Sequence, residues 1–144
     1  MFYGEYIHSL DSKDRFVLPS RFREVARENK IRNFYLTRGL DRCLFLFPEG
    51  EWRRLEEVFK NLSFTKPEVR TFNRLFFSGA VKIEFDSQGR ALIPSYLKEF
   101  AQIRMQVVII GVSNRIEIWS KRIWQEYFNK NKSGFEQIAQ NLIV

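Results

Sequence analysis

The sequence predicts an α+β fold, rich in β-strand, in which two tandem copies of one small unit share a single body. The first observation is an internal repeat, because a run of residues near the N-terminus recurs 75 positions later. The second is an apolar–polar alternation typical of half-buried strands, followed in both copies by helical spacing. The matched pairs are Gly4/Gly79, Asp11/Asp86, Arg15/Arg90 and Pro19/Pro94, with Gly39/Gly111 and Trp52/Trp124 at an offset of 72. One unit alone would leave sheet edges open, so two units are expected to cover each other with approximate two-fold symmetry.

Each unit begins with two short strands on either side of a polar turn. In the second copy Val81, Ile83 and Phe85 alternate with charged residues, which predicts a half-buried strand. A short apolar strand follows the turn, at Phe16–Leu18 in the first copy and at Ala91–Ile93 in the second. A proline ends this strand in both copies, so the sequence predicts a strand–turn–strand hairpin that leads into a helix.

A helix, two further strands and a closing helix complete each unit. Apolar residues at i, i+3 and i+4 after Pro-Ser predict the first helix, and two apolar runs joined by a turn predict the strands. The predicted organisation is a first unit at residues 1–62, a helical connector at 63–78, a second unit at 79–130 and a C-terminal tail at 131–144. The tail has helical spacing, and it is interpreted either as a helix docked on a neighbouring molecule or as a loosely held segment.

Composition limits the classes of function. The chain has 24 Lys and Arg residues against 17 Asp and Glu residues, so its formal net charge is +7. This excess suits a nucleic-acid partner without identifying one. The longest strongly apolar run, Val107–Val112, is too short to cross a bilayer. Cys43 is the only cysteine, so no intrachain disulfide can form. We therefore expect a cytoplasmic protein with no membrane partner.

The pattern Asp-x-x-x-Arg occurs once in each copy, at the end of a predicted hairpin. Asp11–Arg15 is termed the first tip, and Asp86–Arg90 the second tip. An aspartate can cap such a turn and hold the arginine by an ion pair, and a guanidinium can bind phosphate or guanine bidentately. A turn aspartate beside a solvated arginine is the ordinary structural alternative, and a duplicated fold repeats its turns. The basic side chains nearby in sequence are Lys13, Arg21 and Arg23 at the first tip and Lys98 at the second.

Several motifs resemble the MraZ family, in the order that is typical of that family. They span roughly residues 1–130. Several long motifs in the correct order make a chance match improbable. The matching segments are Gly4–Arg15, Leu18–Glu24, Leu36–Leu44, Pro48, Glu51-Trp52, Arg70, Arg74, Phe77–Ala80 and Asp86–Arg90.

The resemblance implies a bacterial transcriptional regulator of the division and cell-wall gene cluster, often a repressor of its own operon. It implies two AbrB-like swapped-hairpin units that form an intrachain pseudo-two-fold β-barrel flanked by short helices. It also implies a ring-shaped homo-oligomer, octameric in some members, bound to direct repeats in double-stranded promoter DNA and therefore nucleoid-associated. The implied DNA contacts are Arg15 and Arg90, then Lys13, Arg21 and Arg23, with Asp11, Asp86 and Gly89 organising the turns.

Two positions depart from the pattern of the MraZ family. Asp14 stands where a glycine is usual, and Arg42 stands where another glycine is common. Aspartate tolerates a left-handed backbone better than most residues, so we expect the first turn to form. The negative charge of Asp14 beside Arg15 is expected to weaken phosphate attraction. The sequence leaves open whether Arg42 faces DNA, a neighbouring subunit or solvent.

Three classes of function fit the sequence to different degrees. They are a DNA-binding repressor, a protein-interaction module of antitoxin-like type that binds its partner through the tips, and an enzyme acting on nucleic acid. His8 aligns with Ile83 and is expected to be a packed, hydrogen-bonded imidazole, while Cys43 has no second thiol with which to bind zinc. The aspartates of two symmetric tips need not converge on a metal. We therefore predict no catalytic residue, metal site, cofactor or small-molecule substrate.

Overall fold

The computed structural model describes residues 1–143, and the two repeats have the same order of elements. Each runs strand, strand, helix, strand, strand, helix. The strands are β1 (Phe2–Ser9), β2 (Arg15–Val17), β3 (Phe34–Arg38), β4 (Leu44–Pro48), β5 (Val81–Ile83), β6 (Arg90–Leu92), β7 (Gln106–Ser113) and β8 (Ile116–Ser120). The helices are α1 (Ser20–Glu28), α2 (Glu49–Lys60), α3 (Pro67–Ser78), α4 (Ser95–Phe100), α5 (Lys121–Asn131) and α6 (Phe135–Ile143), with a 3-10 turn at Lys132–Gly134. α3 connects the two repeats.

The repeats exchange strands within one antiparallel sheet. Its six strands lie in the order β1-β7-β8-β4-β3-β5. β1 of the first repeat pairs along its whole length with β7 of the second, and β5 of the second pairs with β3 of the first. β4 pairs with β8 at the centre, so the pairing pattern has approximate two-fold symmetry. Neither repeat forms this sheet without the other.

The remaining strands, β2 and β6, form a separate two-stranded antiparallel ribbon. Its register pairs Arg15 with Leu92, Phe16 with Ala91 and Val17 with Arg90. Successive side chains of a strand point to opposite faces. Phe16 and Ala91 are buried on the inner face, so both arginines lie on the outer face. The ribbon therefore contains one strand from each repeat and carries both tip arginines.

The sheet of residues 1–143 is open, so the predicted β-barrel is not confirmed. The outer strands β1 and β5 each pair on one side only and do not pair with each other. β5 has 3 residues, whereas its counterpart β1 has 8. The difference has a simple cause: α3 continues to Ser78, so no extended segment is left before Val81, whereas β1 starts at Phe2.

Both faces of the sheet are covered, and two hydrophobic cores result. The first core lies between the sheet and the layer of the ribbon, α1 and α4; its members include Phe16, Phe22, Leu97 and Ile118. The second lies between the sheet and α2, α3 and α5; its members include Trp52, Phe76, Trp119 and Ile123. Every residue of the central strands β4 and β8 is buried. Continuous apolar runs, rather than alternation, are the expected sequence pattern for strands buried on both faces.

The C-terminal tail is helical as far as the structure describes it. α6 ends at Ile143, and Val144 lies outside the described residues. The apolar side chains of Phe135, Ile138 and Leu142 are exposed on this helix. Across the described part of the chain, no helix combines the length and the apolar character needed to cross a membrane.

Candidate nucleic-acid interface

The first tip is organised by the carboxylate of Asp11. Its Oδ1 atom accepts hydrogen bonds from the backbone N–H groups of Lys13 and Arg15, at 2.9 and 3.0 Å. Its Oδ2 atom accepts a 2.7 Å hydrogen bond from Nε of Arg15. The backbone N–H of Arg15, followed by its guanidinium, holds the pKa of the Asp11 carboxyl below its usual value. Asp11 is therefore ionised at neutral pH and fixes both the turn and the arginine.

The second tip repeats this arrangement around Asp86. Its Oδ1 atom accepts hydrogen bonds from the backbone N–H groups of Gln88 and Arg90, both at 2.9 Å. Its Oδ2 atom accepts a 2.8 Å hydrogen bond from Nε of Arg90. The backbone N–H of Arg90, followed by its guanidinium, also lowers the pKa of the Asp86 carboxyl. The two tips therefore present the same chemical group in the same orientation relative to their turns.

Each tip arginine keeps part of its guanidinium available for a ligand. The aspartate occupies Nε, and neither Nη group of Arg15 or Arg90 has a hydrogen-bond partner within residues 1–143. The arginine side chains are 27% and 32% exposed, respectively. A guanidinium held at one nitrogen loses less conformational entropy when the others bind a ligand. These two side chains are pre-organised cationic donors at the surface.

The ribbon brings the two tips together. Arg15 faces Leu92, and Arg90 lies two residues further along the same strand and on the same outer face. Diagonal neighbours of this kind are about 7–8 Å apart. Leu92, a neighbour of both arginines, is 53% exposed, so an apolar contact surface accompanies the two charges. Symmetry alone did not require the tips to converge, and the strand pairing between repeats is what brings them close.

Both turns use a left-handed residue immediately before the arginine. Asp14 has a φ of +59° and Gly89 has a φ of +75°, so the first turn forms despite the aspartate. The carbonyl oxygen of each of these residues also accepts a hydrogen bond from a backbone N–H of the other repeat. The N–H of Ile93 donates to the carbonyl oxygen of Asp14 at 3.0 Å, and the N–H of Leu18 donates to that of Gly89 at 2.8 Å. Each tip is thus held in place by the opposite half of the chain.

The basic residues that flank the tips are exchanged between the repeats. Lys98 follows the second tip in sequence, yet its Nζ atom forms a 2.7 Å ion pair with Oδ1 of Asp14 at the first tip. Arg23 follows the first tip in sequence, yet a Cβ atom built on Gly89 would lie 2.8 Å from its Cδ atom. Nε of Arg23 is buried without a hydrogen-bond partner within residues 1–143. Arg23 therefore packs over the turn of the second tip, and Lys98 neutralises the aspartate beside the first.

The other predicted contacts, Lys13 and Arg21, are exposed. Lys13 lies in the turn of the first tip, and Arg21 lies in the first turn of α1. Their contact with DNA stays a prediction, as does that of Arg23.

Comparison with known proteins identifies the family. The family described as "MraZ protein, putative antitoxin-like" matches twice, over residues 1–75 and 76–144. The chain belongs to the MraZ family. A relative from Carboxydothermus hydrogenoformans, named Transcriptional regulator MraZ, is 47% identical over 143 residues, which cover 99% of this chain and 97% of the relative. Relatives of the same name from Desulfitobacterium hafniense and Caldanaerobacter subterraneus subsp. tengcongensis are 46% and 49% identical, covering 99% of this chain and 97% and 96% of theirs.

The second departure from the MraZ pattern, Arg42, lies away from the tips. Arg42 and its neighbour Asp41 have φ values of +66° and +63°, so both occupy backbone conformations that favour glycine. The loop that contains them borders a small groove with Glu126 and Tyr127 of α5. In the folded chain Arg42 is therefore close to the second repeat's closing helix.

His8 and Cys43, whose side chains are of types used in catalysis or metal binding, are half-buried and buried, respectively. His8 is half-buried on β1, and the hydrogen bond expected for its imidazole is not found within residues 1–143. Cys43 is buried, and burial raises the pKa of its thiol far above the usual value. The described residues contain no group of three or more His, Cys, Asp or Glu side chains that could hold a metal ion.

The substitution Gly89→Val is expected to destabilise the second tip. A β-branched residue tolerates a positive φ poorly, and its Cβ atom would also collide with the Arg23 side chain. We expect the free energy of unfolding to fall by about 2–3 kcal/mol, to be measured by thermal and urea denaturation. Ser87→Val, in the same turn at an exposed position without a positive φ, is the control and should change stability little. An unchanged melting temperature for Gly89→Val would show that no glycine is needed there.

The substitution Asp14→Gly is expected to tighten DNA binding. Glycine accepts the positive φ of this position, the negative charge beside Arg15 disappears, and the Lys98 ammonium loses its ion-pair partner. For a partly buried pair of this kind we expect an increase in affinity of about two- to fivefold at low salt. Lys98→Ala should act in the opposite direction, because it leaves the Asp14 carboxylate unpaired next to the tip. Equal or weaker binding by Asp14→Gly would contradict this electrostatic explanation.

Proposed function

We propose that this chain is a sequence-specific transcriptional regulator that binds double-stranded promoter DNA through its two tips. One observation carries the proposal: Arg15 and Arg90 share the outer face of the ribbon, each held at Nε by an aspartate and open at its Nη groups. The net charge of +7 and the names of the MraZ relatives support it. Lys13, Arg21 and Arg23 are proposed as additional DNA contacts.

The proposed contact follows from the dimensions of the ribbon and of DNA. The major groove is about 12 Å wide and admits a two-stranded β-ribbon. An arginine whose Nη groups have no protein partner can bind O6 and N7 of guanine or a phosphate oxygen pair, and the fixed Nε restricts the directions in which it can do so. Asp11 and Asp86 act as positioning residues, since each holds one arginine and one turn. Gly89 allows the second turn its left-handed backbone.

The finer features of the proposal concern assembly and regulation. The chain is proposed to form AbrB-like swapped-hairpin units at residues 1–62 and 79–130, with a connector at 63–78 and a tail at 131–144. Identical chains are proposed to form a ring that binds direct repeats upstream of their own division and cell-wall operon and represses it. Weak contacts repeated around a ring become strong when the spacing of DNA repeats matches that of the subunits. Such a protein acts in the cytoplasm, on the nucleoid.

The deciding experiment is fluorescence anisotropy with the DNA upstream of the protein's own operon and with a scrambled duplex of equal length, at several salt concentrations. We expect the promoter to bind more tightly than the scrambled duplex, with an affinity that falls steeply as salt rises. Each phosphate contact contributes a slope of about −0.9 to the dependence of log K on log salt. Equally weak binding to both duplexes would reject the proposal.

The alternative function is a protein-interaction module that binds its partner through the same tips. The antitoxin-like wording of the family description favours it. A protein partner would bind with a shallow salt dependence, and DNA would not displace it from the tips. An enzyme is not proposed, because the tips offer arginines held by aspartates and no nucleophile next to a general base.

A further inference from the structure

A basic groove lies next to the first tip and is distinct from it. The groove has a volume of about 1020 Å³ and is lined by α4, the segment leading into β7, and the start of α5. Its charged lining residues are Lys98, Arg104, Lys121 and Arg122, against the single carboxylate of Glu99. Four cations facing one anion in a concave surface concentrate positive potential there.

Two contacts connect this basic groove to the first tip. Lys98, on the groove wall, forms the 2.7 Å ion pair with Asp14. The N–H of Leu10, which precedes Asp11, donates a 2.7 Å hydrogen bond to the carbonyl oxygen of Met105, another lining residue. A strand of nucleic acid at the first tip would therefore have the groove directly beside it.

Two of the four cations remain available for a ligand. Arg122 donates to Glu126 and to Gln102, and Lys98 is paired with Asp14. Arg104, by contrast, is exposed and has no hydrogen-bond or ion-pair partner within residues 1–143. Lys121 has only a long 3.4 Å hydrogen bond to Gln106. Lys121 also begins α5, and the N-terminus of a helix carries a partial positive charge.

The first repeat has less positive charge than the groove at the equivalent positions. At the offset of 72, Lys121 and Arg122 correspond to Glu49 and Gly50. Glu49 is already bound by Asn33 and Arg53, at 3.1 and 3.2 Å. Arg104 has a basic counterpart in Arg32, which is also exposed. At the offset of 75, Lys98 corresponds to Arg23, which packs over the turn of the second tip. The positive charge of Lys121 and Arg122 is therefore found in one half of the molecule only, although the two tips are nearly symmetric.

We propose that the basic groove binds the phosphodiester backbone of the DNA strand that flanks the first tip, with Arg104 and Lys121 as the phosphate contacts. This inference rests on the proposed function and extends it. The two tips recognise DNA equivalently, and the groove adds more positive charge on the side of the first tip. DNA bound to one chain is then held more firmly on the side of the first tip, which gives a chain with near two-fold symmetry a preferred direction along the duplex.

The test is the salt dependence of DNA affinity for the Arg104→Ala/Lys121→Ala variant of the full-length protein. Loss of two phosphate contacts should reduce the slope of log K against log salt by about 1.8, and lower the affinity for promoter and scrambled DNA by the same factor. Arg32→Ala is the matched control for Arg104→Ala. It removes the same charge at the equivalent position of the other repeat and should leave the slope unchanged. An unchanged slope for the groove variant, or an equal decrease for Arg32→Ala, would overturn the proposal.

Two further readouts separate the groove from the tips and from free anions. The ratio of promoter affinity to scrambled affinity reports on the tips. If the unaltered protein shows no preference for the promoter, the proposed function is rejected. If the groove variant keeps the preference of the unaltered protein, the separate roles of tips and groove are supported. Inorganic phosphate is then titrated into the DNA-free protein by calorimetry. Saturable binding of phosphate that requires Arg104, together with an unchanged DNA salt slope, would assign the groove to free phosphate and overturn its role as a DNA contact.

Discussion

Replacing Arg15 and Arg90 together with alanine is expected to reduce affinity for the promoter by about a hundredfold or more, and each single replacement by about tenfold or more. A bidentate arginine contact contributes about 1–3 kcal/mol to discrimination between bases, which corresponds to these factors. The fold should survive, because the carboxylates of Asp11 and Asp86 keep their backbone N–H donors when the guanidinium is removed. Anisotropy measures the affinity, and urea denaturation measures the stability.

The control for this pair is Arg54→Ala. Arg54 is also an exposed arginine held by a carboxylate, with its Nη2 atom 2.8 Å from Glu51 on α2, but it belongs to neither tip. Its replacement removes one positive charge and should change DNA affinity less than threefold. Arg15→Lys keeps the charge and loses the bidentate geometry, so it should reduce specificity more than non-specific affinity. Unaltered binding by both tip variants would remove the tips from the DNA interface.

The largest effect on stability is expected from Gly111→Ala. Gly111 faces Gly4 where β1 pairs with β7, and a Cβ atom at this position would lie 2.5 Å from the backbone nitrogen of Tyr3 and even closer to the carbonyl carbon of Phe2. Backbone atoms of a paired strand cannot move aside as a flexible side chain can. We expect the free energy of unfolding to fall by about 3 kcal/mol, since overpacking against a rigid neighbour costs this much. Denaturant unfolding measures it.

The matched control is Gly50→Ala in α2. No atom lies within 4 Å of a Cβ built on Gly50, and alanine is favoured over glycine in a helix by about 1 kcal/mol. The same chemical change should therefore stabilise the protein at one position and destabilise it strongly at the other. If Gly111→Ala leaves the free energy of unfolding unchanged, β1 must be able to separate from β7 at little cost. The strand exchange between the repeats would then contribute less to stability than the full-length pairing of β1 with β7 suggests.

The local structure of the tips was predictable from the sequence, because it depends on residues close together in the chain. The repeat offset located both turns, and the Asp-x-x-x-Arg spacing predicted that each aspartate would hold its own arginine, which the hydrogen bonds of Asp11 and Asp86 bear out. The order of strands and helices was also predictable, since hydrophobic periodicity differs between the two.

Contacts between the repeats were not predictable in the same way. Sequence proximity assigned Lys98 to the second tip and Arg23 to the first, yet each lies at the other tip, because β2 pairs with β6 rather than with a strand of its own repeat. The signal that could have indicated the position of Lys98 was Asp14, because its negative charge in the turn of the first tip favours a basic neighbour. The open edges of the sheet were not predictable, because the helix before β5 shortens that strand and periodicity predicts element boundaries poorly.

The ribbon also determines when during synthesis the proposed DNA-binding surface can form. A nascent chain that ends before β6 contains Arg15 but lacks Leu92, which pairs with it, and Ile93, whose N–H binds the carbonyl oxygen of Asp14. β1 likewise waits for β7, roughly a hundred residues later in the chain, and contacts so distant in sequence form late. A chain that ends before β6 therefore contains only one strand of the ribbon and only one of the two tip arginines.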